Sequence, residues 1–325
     1  MQDGPILKVE DLRTYFFTRT GVVKAVDGIS FELHKGETLG IVGESGSGKS
    51  MTAWSILGLV PKPAGRIVGG RILYQGENLL DKDPSEMREI RGKHISMVMQ
   101  DPLTSLNPVF SVGNQILESL RMEPDQPSLS LIDRATELLS MLQIPAPRAR
   151  LSAFPHQMSG GMRQRVVGAI AISRAPNVLI ADEPTTSLDA TVQLQYLKLL
   201  KAIQEDTGAA IIFITHDFGI VARMCDRVAV MYAGKIVEQA DVLQLFDNPA
   251  HPYTEALLKS VPELDIEVDY LPSIEGQPPS LDDLPIGCAF APRCPYVFDK
   301  CVEYPPEFPI EAGHVARCWR HDGAG

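Results

Sequence analysis

What the chain lacks narrows it first. Over 325 residues no apolar run approaches the roughly 18 needed to cross a bilayer, and the N-terminus has neither the basic start nor the apolar core of a secretion signal. The expected compartment is the cytosol, with other subunits carrying the chain to any membrane. Positive charge is short: 30 Lys and Arg against 41 Asp and Glu leave a net charge of −11, which disfavours a general binder of nucleic-acid backbone. Cysteine is scarce and uneven. Four of the five follow residue 287, and a reducing compartment makes structural disulfides a poor account of them. No internal repeat is evident. Otherwise 44% hydrophobic and 22% charged residues are ordinary for a globular protein, and the length allows two domains or one with an extension.

The strongest pattern present is Gly43-Glu44-Ser45-Gly46-Ser47-Gly48-Lys49-Ser50, which follows the apolar Leu39-Gly40-Ile41-Val42 and precedes a helix-like run over 51–59. Strand, glycine-rich turn and helix form the setting in which G-x-x-x-x-G-K-[ST] holds phosphate. Successive loop N–H groups and the positive end of the helix make a concave anion site. Glycines at 43, 46 and 48 let the backbone curl. Lys49 is placed to reach β/γ-phosphates as a point charge, and the Ser50 hydroxyl to ligate Mg²⁺.

Around this loop the chain reads as a small antiparallel sheet over residues 6–41 and a further strand pair over 66–80. Phe16, in the first of these strands, is either core or a platform for a nucleotide base. Residues 95–99 predict a short buried strand ending at Gln100, and helical periodicity follows at 116–120 and 132–142. Val178-Leu179-Ile180-Ala181 then runs into the paired carboxylates Asp182-Glu183. Residues 192–204 form an amphipathic helix, 209–214 an apolar strand leading to His216, and 228–231 another strand. Apolar strands alternating with helices predict a parallel sheet covered on both faces. Gln100, Asp182 and His216 then fall at carboxyl ends of strands, where such sheets bind ligands. After about residue 240, ten of the 25 prolines lie between Pro262 and Pro309, which predicts an extended, mostly irregular appendage.

The chemistry these residues suit is phosphoryl transfer. Asp182 is the expected Mg²⁺ carboxylate, direct or through water. Glu183 is placed to polarise a water for in-line attack, His216 to hydrogen-bond the γ-phosphate and that water, and Gln100 to complete the Mg²⁺ and water shell. Ser159-Gly160-Gly161, opening a helix over 162–173, makes a second anion site. One chain does not easily bring both sites to one γ-phosphate, whereas two chains packed head to tail do.

The phosphate loop, Gln100, the Met158-Ser159-Gly160-Gly161-Met162-Arg163-Gln164-Arg165 segment, Asp182-Glu183, the Ser187-Leu188-Asp189 turn and His216 stand in the order and spacing of an ABC-type ATPase subunit, which residues 6–240 resemble. The resemblance implies an α/β fold, with a RecA-like parallel-sheet core and antiparallel β subdomain at 1–100 and 176–240, a helical signature subdomain at 101–175, and an extension at 241–325. It implies ATP bound by Phe16 as base platform, by Gly43, Glu44, Ser45, Gly46, Ser47, Gly48, Lys49 and Ser50, and by Ser159, Gly160, Gly161 and Asp189 at a dimer seam. Mg²⁺ falls to Ser50, Gln100 and Asp182, and the catalytic roles to Glu183, His216 and Gln100. Gln100 also starts the loop that meets membrane subunits. Met158 and Met162 depart from the generic Leu-Ser-Gly-Gly-Gln, while Ser159 and both glycines are kept.

The Ser-Gly-Gly-Met-Arg-Gln-Arg form, Gln100-Asp101-Pro102-Leu103-Thr104-Ser105-Leu106-Asn107-Pro108 and His251-Pro252-Tyr253-Thr254 are similar to the dipeptide/oligopeptide importer branch, which also handles nickel and some sugars. That branch implies a peripheral subunit on the cytoplasmic face of the cell membrane. Its partners would be a second ATPase (a copy or a related chain), two transmembrane permeases and an extracytoplasmic solute-binding protein, with no nucleic acid. A soluble ABC ATPase acting on nucleic acid or ribosomes is the rival. No long insertion separates loop from signature and no second cassette is present, which disfavours it.

Cys288, Cys294, Cys301 and Cys318 are separated by five, six and sixteen residues, without the C-x-x-C pairs usual in structural zinc sites. Four thiolates still suit a tetrahedral metal or a [4Fe–4S] cluster standing in for a core. The importer branch implies the cluster, with Zn²⁺ or unliganded thiols the alternatives. Cys225 reads as a small buried hydrophobe. Cys294→Ser is expected to loosen the tail while sparing nucleotide binding.

Overall fold

The structure is a computed structural model that describes residues 4–122, 130–186, 188–261 and 273–323. The chain forms two compact units. The first comprises residues 1–34, 38–81 and 214–325, and the second residues 35–37 and 82–213.

The first unit carries a four-stranded antiparallel sheet in the order Val22–Leu33, Leu7–Phe17, Gly65–Tyr74, Glu77–Asn78. The Leu7–Phe17 strand buries Leu7, Val9, Leu12 and Thr14, so its period of two slips once. Asp11, in a left-handed conformation at φ 46°, supplies the extra residue of a bulge. Opposite it, a Cβ on Gly70 would stand 2.5 Å from the Asp11 carbonyl oxygen, so glycine is needed there.

The same unit holds the fully buried strand Thr38–Val42, parallel to Arg227–Tyr232. Continuing outward are antiparallel Lys235–Asp241 and then the hairpin His314–Ala316 with Phe308–Glu311. The proline-rich tail is therefore not wholly irregular. Its last hairpin pairs Ala316 with Glu238 and covers a sheet edge that would otherwise present bare N–H and C=O groups. Short runs of three or four residues show no period, which is why only the prolines were legible there.

A buried polar knot fixes this edge. The Glu238 carboxylate accepts from the Ala250 N–H at 2.7 Å and the His251 N–H at 2.8 Å, and pairs with His314 Nε2 at 2.8 Å, both side chains being fully buried. The bond to Glu238 raises the His314 pKa. Burial pushes His251 down to about 4, in keeping with its Nδ1 accepting the Tyr253 N–H at 3.0 Å. Breaking a buried pair from one side is costly, so Glu238→Gln is expected to lower stability by about 3 kcal/mol, read as a shifted urea midpoint. Because its folded pKa is raised, His314 contributes fully below its ordinary 6.5 and ever less as pH rises through the folded value. The gap between wild type and Glu238→Gln should accordingly narrow at alkaline pH.

In the second unit, Ala210–Thr215 (as far as Phe213), Val178–Asp182 and Ile95–Val98 lie side by side, the last two parallel. Helices Val112–Arg121, Leu131–Met141, Gly160–Ile172 and Ala190–Thr207 belong to the same unit. Their ends are set by capping side chains. Ser111, Ser130, Ser159 and Asp189 each accept N–H groups of the first turn.

Candidate functional site

In the first unit the loop from Gly43 to Gly48 leaves the buried strand and opens directly into the helix Lys49–Ile56. Two of its glycines are obligatory. At Gly43, φ is 152° and a Cβ would stand 2.2 Å from the Met231 carbonyl oxygen; at Gly48, φ is 105° and a Cβ would stand 2.2 Å from that of Ala25. The loop backbone is thus pressed onto neighbouring strands and held in its curl. Lys49 is buried, and its ammonium donates to the carbonyls of Gly43 at 2.7 Å and Glu44 at 2.9 Å, folding the charge back over the loop. The Ser47 hydroxyl is buried with no hydrogen-bond partner among the described residues. A cradle that only glycine fits, a cation bent over it and an orphaned hydroxyl suit an anionic, oxygen-rich ligand.

Phe16, expected as a base platform, is half-buried on its strand and packs so closely that a Cβ on Gly65 would meet its ring at 2.8 Å. His216 is exposed just beyond the end of Ala210–Thr215, and Asp217 beside it caps the helix Phe218–Met224. Cys225 is buried, and a Cβ on Gly40 would stand 2.8 Å from its sulfur.

In the second unit the strand Val178–Asp182 is buried throughout and ends at Asp182, itself 3% exposed. The chain then turns through Glu183, a non-glycine residue in the left-handed region at φ 43°, a conformation that costs on the order of 1–3 kcal/mol. That turn presents the carboxylate to two donors: Glu183 Oε2 accepts from Gln100 Nε2 at 3.0 Å and from Thr186 Oγ1 at 3.0 Å. Gln100 and Glu183, 83 residues apart, are therefore brought together. Thr186 was not singled out from sequence, and a hydroxyl three residues after a strand-end carboxylate was the available signal.

Ser159 caps the helix Gly160–Ile172 by accepting the Met162 N–H at 3.3 Å. At Gly161 a Cβ would come within 2.8 Å of Val192, so this glycine serves helix packing as well as any anion. Asp189, assigned to a dimer seam, spends its carboxylate on the Thr191 and Val192 N–H groups at 3.1 and 3.0 Å. Ser187 lies outside the described residues.

The four tail cysteines are free thiols and all line one cavity in the first unit, together with His251, Phe290 and Trp319. Burial pushes the Cys288 thiol up to about 11 and raises Cys294 and Cys318 as well. The Cys288 N–H donates to the Cys301 carbonyl at 3.0 Å, closing the loop between them. Among the described residues no three His, Cys, Asp or Glu side chains are arranged to hold a metal ion.

Residues 26–186 match the ABC transporter family model, and residues 237–301 match that of the oligopeptide/dipeptide transporter C-terminal region. The chain is 48% identical to the probable peptide ABC transporter ATP-binding protein y4tR of Sinorhizobium fredii, over 98% of this chain and 97% of that protein. It is 48% identical to the dipeptide transport ATP-binding protein DppD of Bacillus subtilis, over 98% and 95%. Among solved structures it is similar to the dimeric bacterial ABC transporter cassette MJ0796, with a TM-score of 0.65 and 25% identity over 73% of this chain and 98% of that one. It also resembles cbiO1 of Clostridium perfringens, with a TM-score of 0.64 and 29% identity over 76% and 92%. No described helix is long and apolar enough to cross a membrane. The chain belongs to the ABC transporter ATP-binding proteins, as an ATPase carrying the oligopeptide/dipeptide transporter C-terminal region.

Proposed function

We propose that this ATPase energises uptake of di- or oligopeptides, with Glu183 positioning the water that attacks the γ-phosphate. The observation that carries the catalytic part is the pair of donors on Glu183. Gln100 and Thr186 both donate to Oε2 and so orient the carboxylate that is to act as the base toward a water. ATP phosphates are assigned to Gly43 through Ser50, the base to Phe16, and the second face of the nucleotide to Ser159, Gly160, Gly161 and Asp189 of a facing chain. Ser50, Gln100 and Asp182 offer hydroxyl, amide and carboxylate oxygens, the hard donors that suit Mg²⁺. When bound, that ion neutralises charge on the phosphates. His216 is assigned to the γ-phosphate and the water.

The peptide part rests on the match of the C-terminal region and on what the relatives are named for. A nickel or sugar importer would use the same ATP site. A cytoplasmic-face location, two permeases, a solute-binding protein and a second ATPase subunit follow from the same reading. For the tail we favour a [4Fe–4S] cluster over Zn²⁺. A single ion needs sulfurs converging at about 2.3 Å, an arrangement the described residues do not make. A cluster would take one thiolate on each of its four irons, and all four thiols line one cavity.

The test is to purify the tagged chain from native membranes in ATP and identify its companions by mass spectrometry. Two polytopic proteins, a related ATPase and a peptide-loaded binding protein are expected. Recovery of ribosomes or DNA without membrane partners would overturn the transport reading.

A further inference from the structure

Glu44 is the second residue of the phosphate loop, and each of its three polar groups is held within the first unit. Its carbonyl accepts from the Lys49 ammonium at 2.9 Å. Its N–H donates to the Tyr253 phenol oxygen at 2.8 Å. Its carboxylate is gripped by both arms of Arg293, Nη1 to Oε2 at 2.7 Å and Nη2 to Oε1 at 3.1 Å. The last two partners lie 209 and 249 residues downstream, in the extension rather than in the region matching the ABC transporter model.

This is a built contact. The Arg293 side chain is only 4% exposed, and a two-armed guanidinium–carboxylate pair in such a setting fixes orientation as well as distance. Arg293 also donates to the Tyr232 phenol at 3.3 Å, and to the carbonyls of Glu275 at 3.0 Å and Ile274 at 3.4 Å, so its own position is set on three further sides. Tyr232, Tyr253 and Phe290 pack with ring centroids 4.5 to 5.4 Å apart, and all three are buried.

The cysteine cavity is joined to this contact in two ways. Arg293 precedes Cys294 in the chain, and Phe290, which lines the cavity, packs on both tyrosines.

We propose that Arg293 and Tyr253 are positioning residues for the phosphate loop, acting through Glu44, and that they make ATP affinity depend on how the four-cysteine segment is packed. The proposal rests on the reading of Gly43 to Ser50 as the ATP phosphate loop. It reverses the expectation that Cys294→Ser spares nucleotide binding. The extension is a brace on the loop, and loosening the cysteine segment withdraws Arg293 from Glu44 and frees the backbone that carries Lys49.

The experiment measures equilibrium ATP affinity of the full-length chain in a set of variants. Arg293→Met is expected to weaken binding about tenfold, within the range of coupling for contacting residues. Arg293→Lys should restore only part of this, since an ammonium cannot span both carboxylate oxygens. Glu44→Gln, which leaves the extension intact, should weaken binding similarly. Adding Arg293→Met to Glu44→Gln, or Cys294→Ser to Glu44→Gln combined with Tyr253→Phe, should then cost less than twofold more, because the side-chain connection is cut in the first and both connections in the second.

A purely structural Arg293 would give losses that multiply in the double variants. That result, or Arg293→Met binding ATP within twofold of wild type, overturns the proposal. A wild-type chain that does not bind ATP overturns the nucleotide reading and the brace with it.

Discussion

Glu183→Gln should bind ATP with near wild-type affinity and release phosphate about a hundred- to ten-thousandfold more slowly, the span assigned to a positioned general base. The amide matches the carboxylate in shape, and it can still accept from Gln100 or Thr186, each 3.0 Å away in the wild type. What it loses is basicity toward the water. The left-handed turn at residue 183, costly for any residue with a Cβ, is kept. A separation of binding from turnover is therefore the expected signature. Equilibrium nucleotide binding and phosphate release on the same preparation would show it, and hydrolysis near the normal rate would remove Glu183 from the role.

Lys49→Met should act at the other end of the reaction, lowering ATP affinity by about a hundredfold or more. The ammonium is buried and folded over the Gly43 and Glu44 carbonyls. A phosphate entering the cradle meets a cation that has already lost most of its water, so the cost of stripping it is met in folding rather than in binding. Removing one partner of such a buried, hydrogen-bonded charge contact typically costs about 2–5 kcal/mol. Methionine keeps the length and apolar body of the side chain, so the helix Lys49–Ile56 should persist. Isothermal titration with ATP against Glu183→Gln as the binding-competent reference reads the loss directly, and affinity within a few-fold of that reference would contradict it.

Legibility in the sequence followed the range of the interaction. The phosphate loop and the Asp182-Glu183 strand end were readable because each is a contiguous strand–turn pattern whose meaning lies in its own residues. The helices expected from residues 162 and 192 start two residues earlier, at Gly160 and Ala190, because Ser159 and Asp189 cap the turn that follows them. Their capping work is a second employment that the functional reading of both residues had passed over.

The unread parts were made by distant pairs. Glu238 meets His314 across 76 residues and Glu44 meets Arg293 across 249, and neither leaves a periodic trace in the chain. Gln100 and Glu183 were both singled out, but the contact between them was not, since only the folded strand ends reveal that the two touch. The bulge at Asp11 likewise depends on an opposing Gly70 on another strand.

If hydrolysis at Glu183 powers peptide uptake, removing the one removes the other. The most direct measurement is uptake of a radiolabelled dipeptide and of a longer oligopeptide by cells whose only copy of the chain is wild type or Glu183→Gln, with membrane assembly checked in both. Uptake of at least one peptide is expected with the wild-type chain, and its loss with the variant while the assembly stays intact. Peptide uptake continuing at the wild-type rate with Glu183→Gln, or absent with both chains in an assembled transporter, would contradict it.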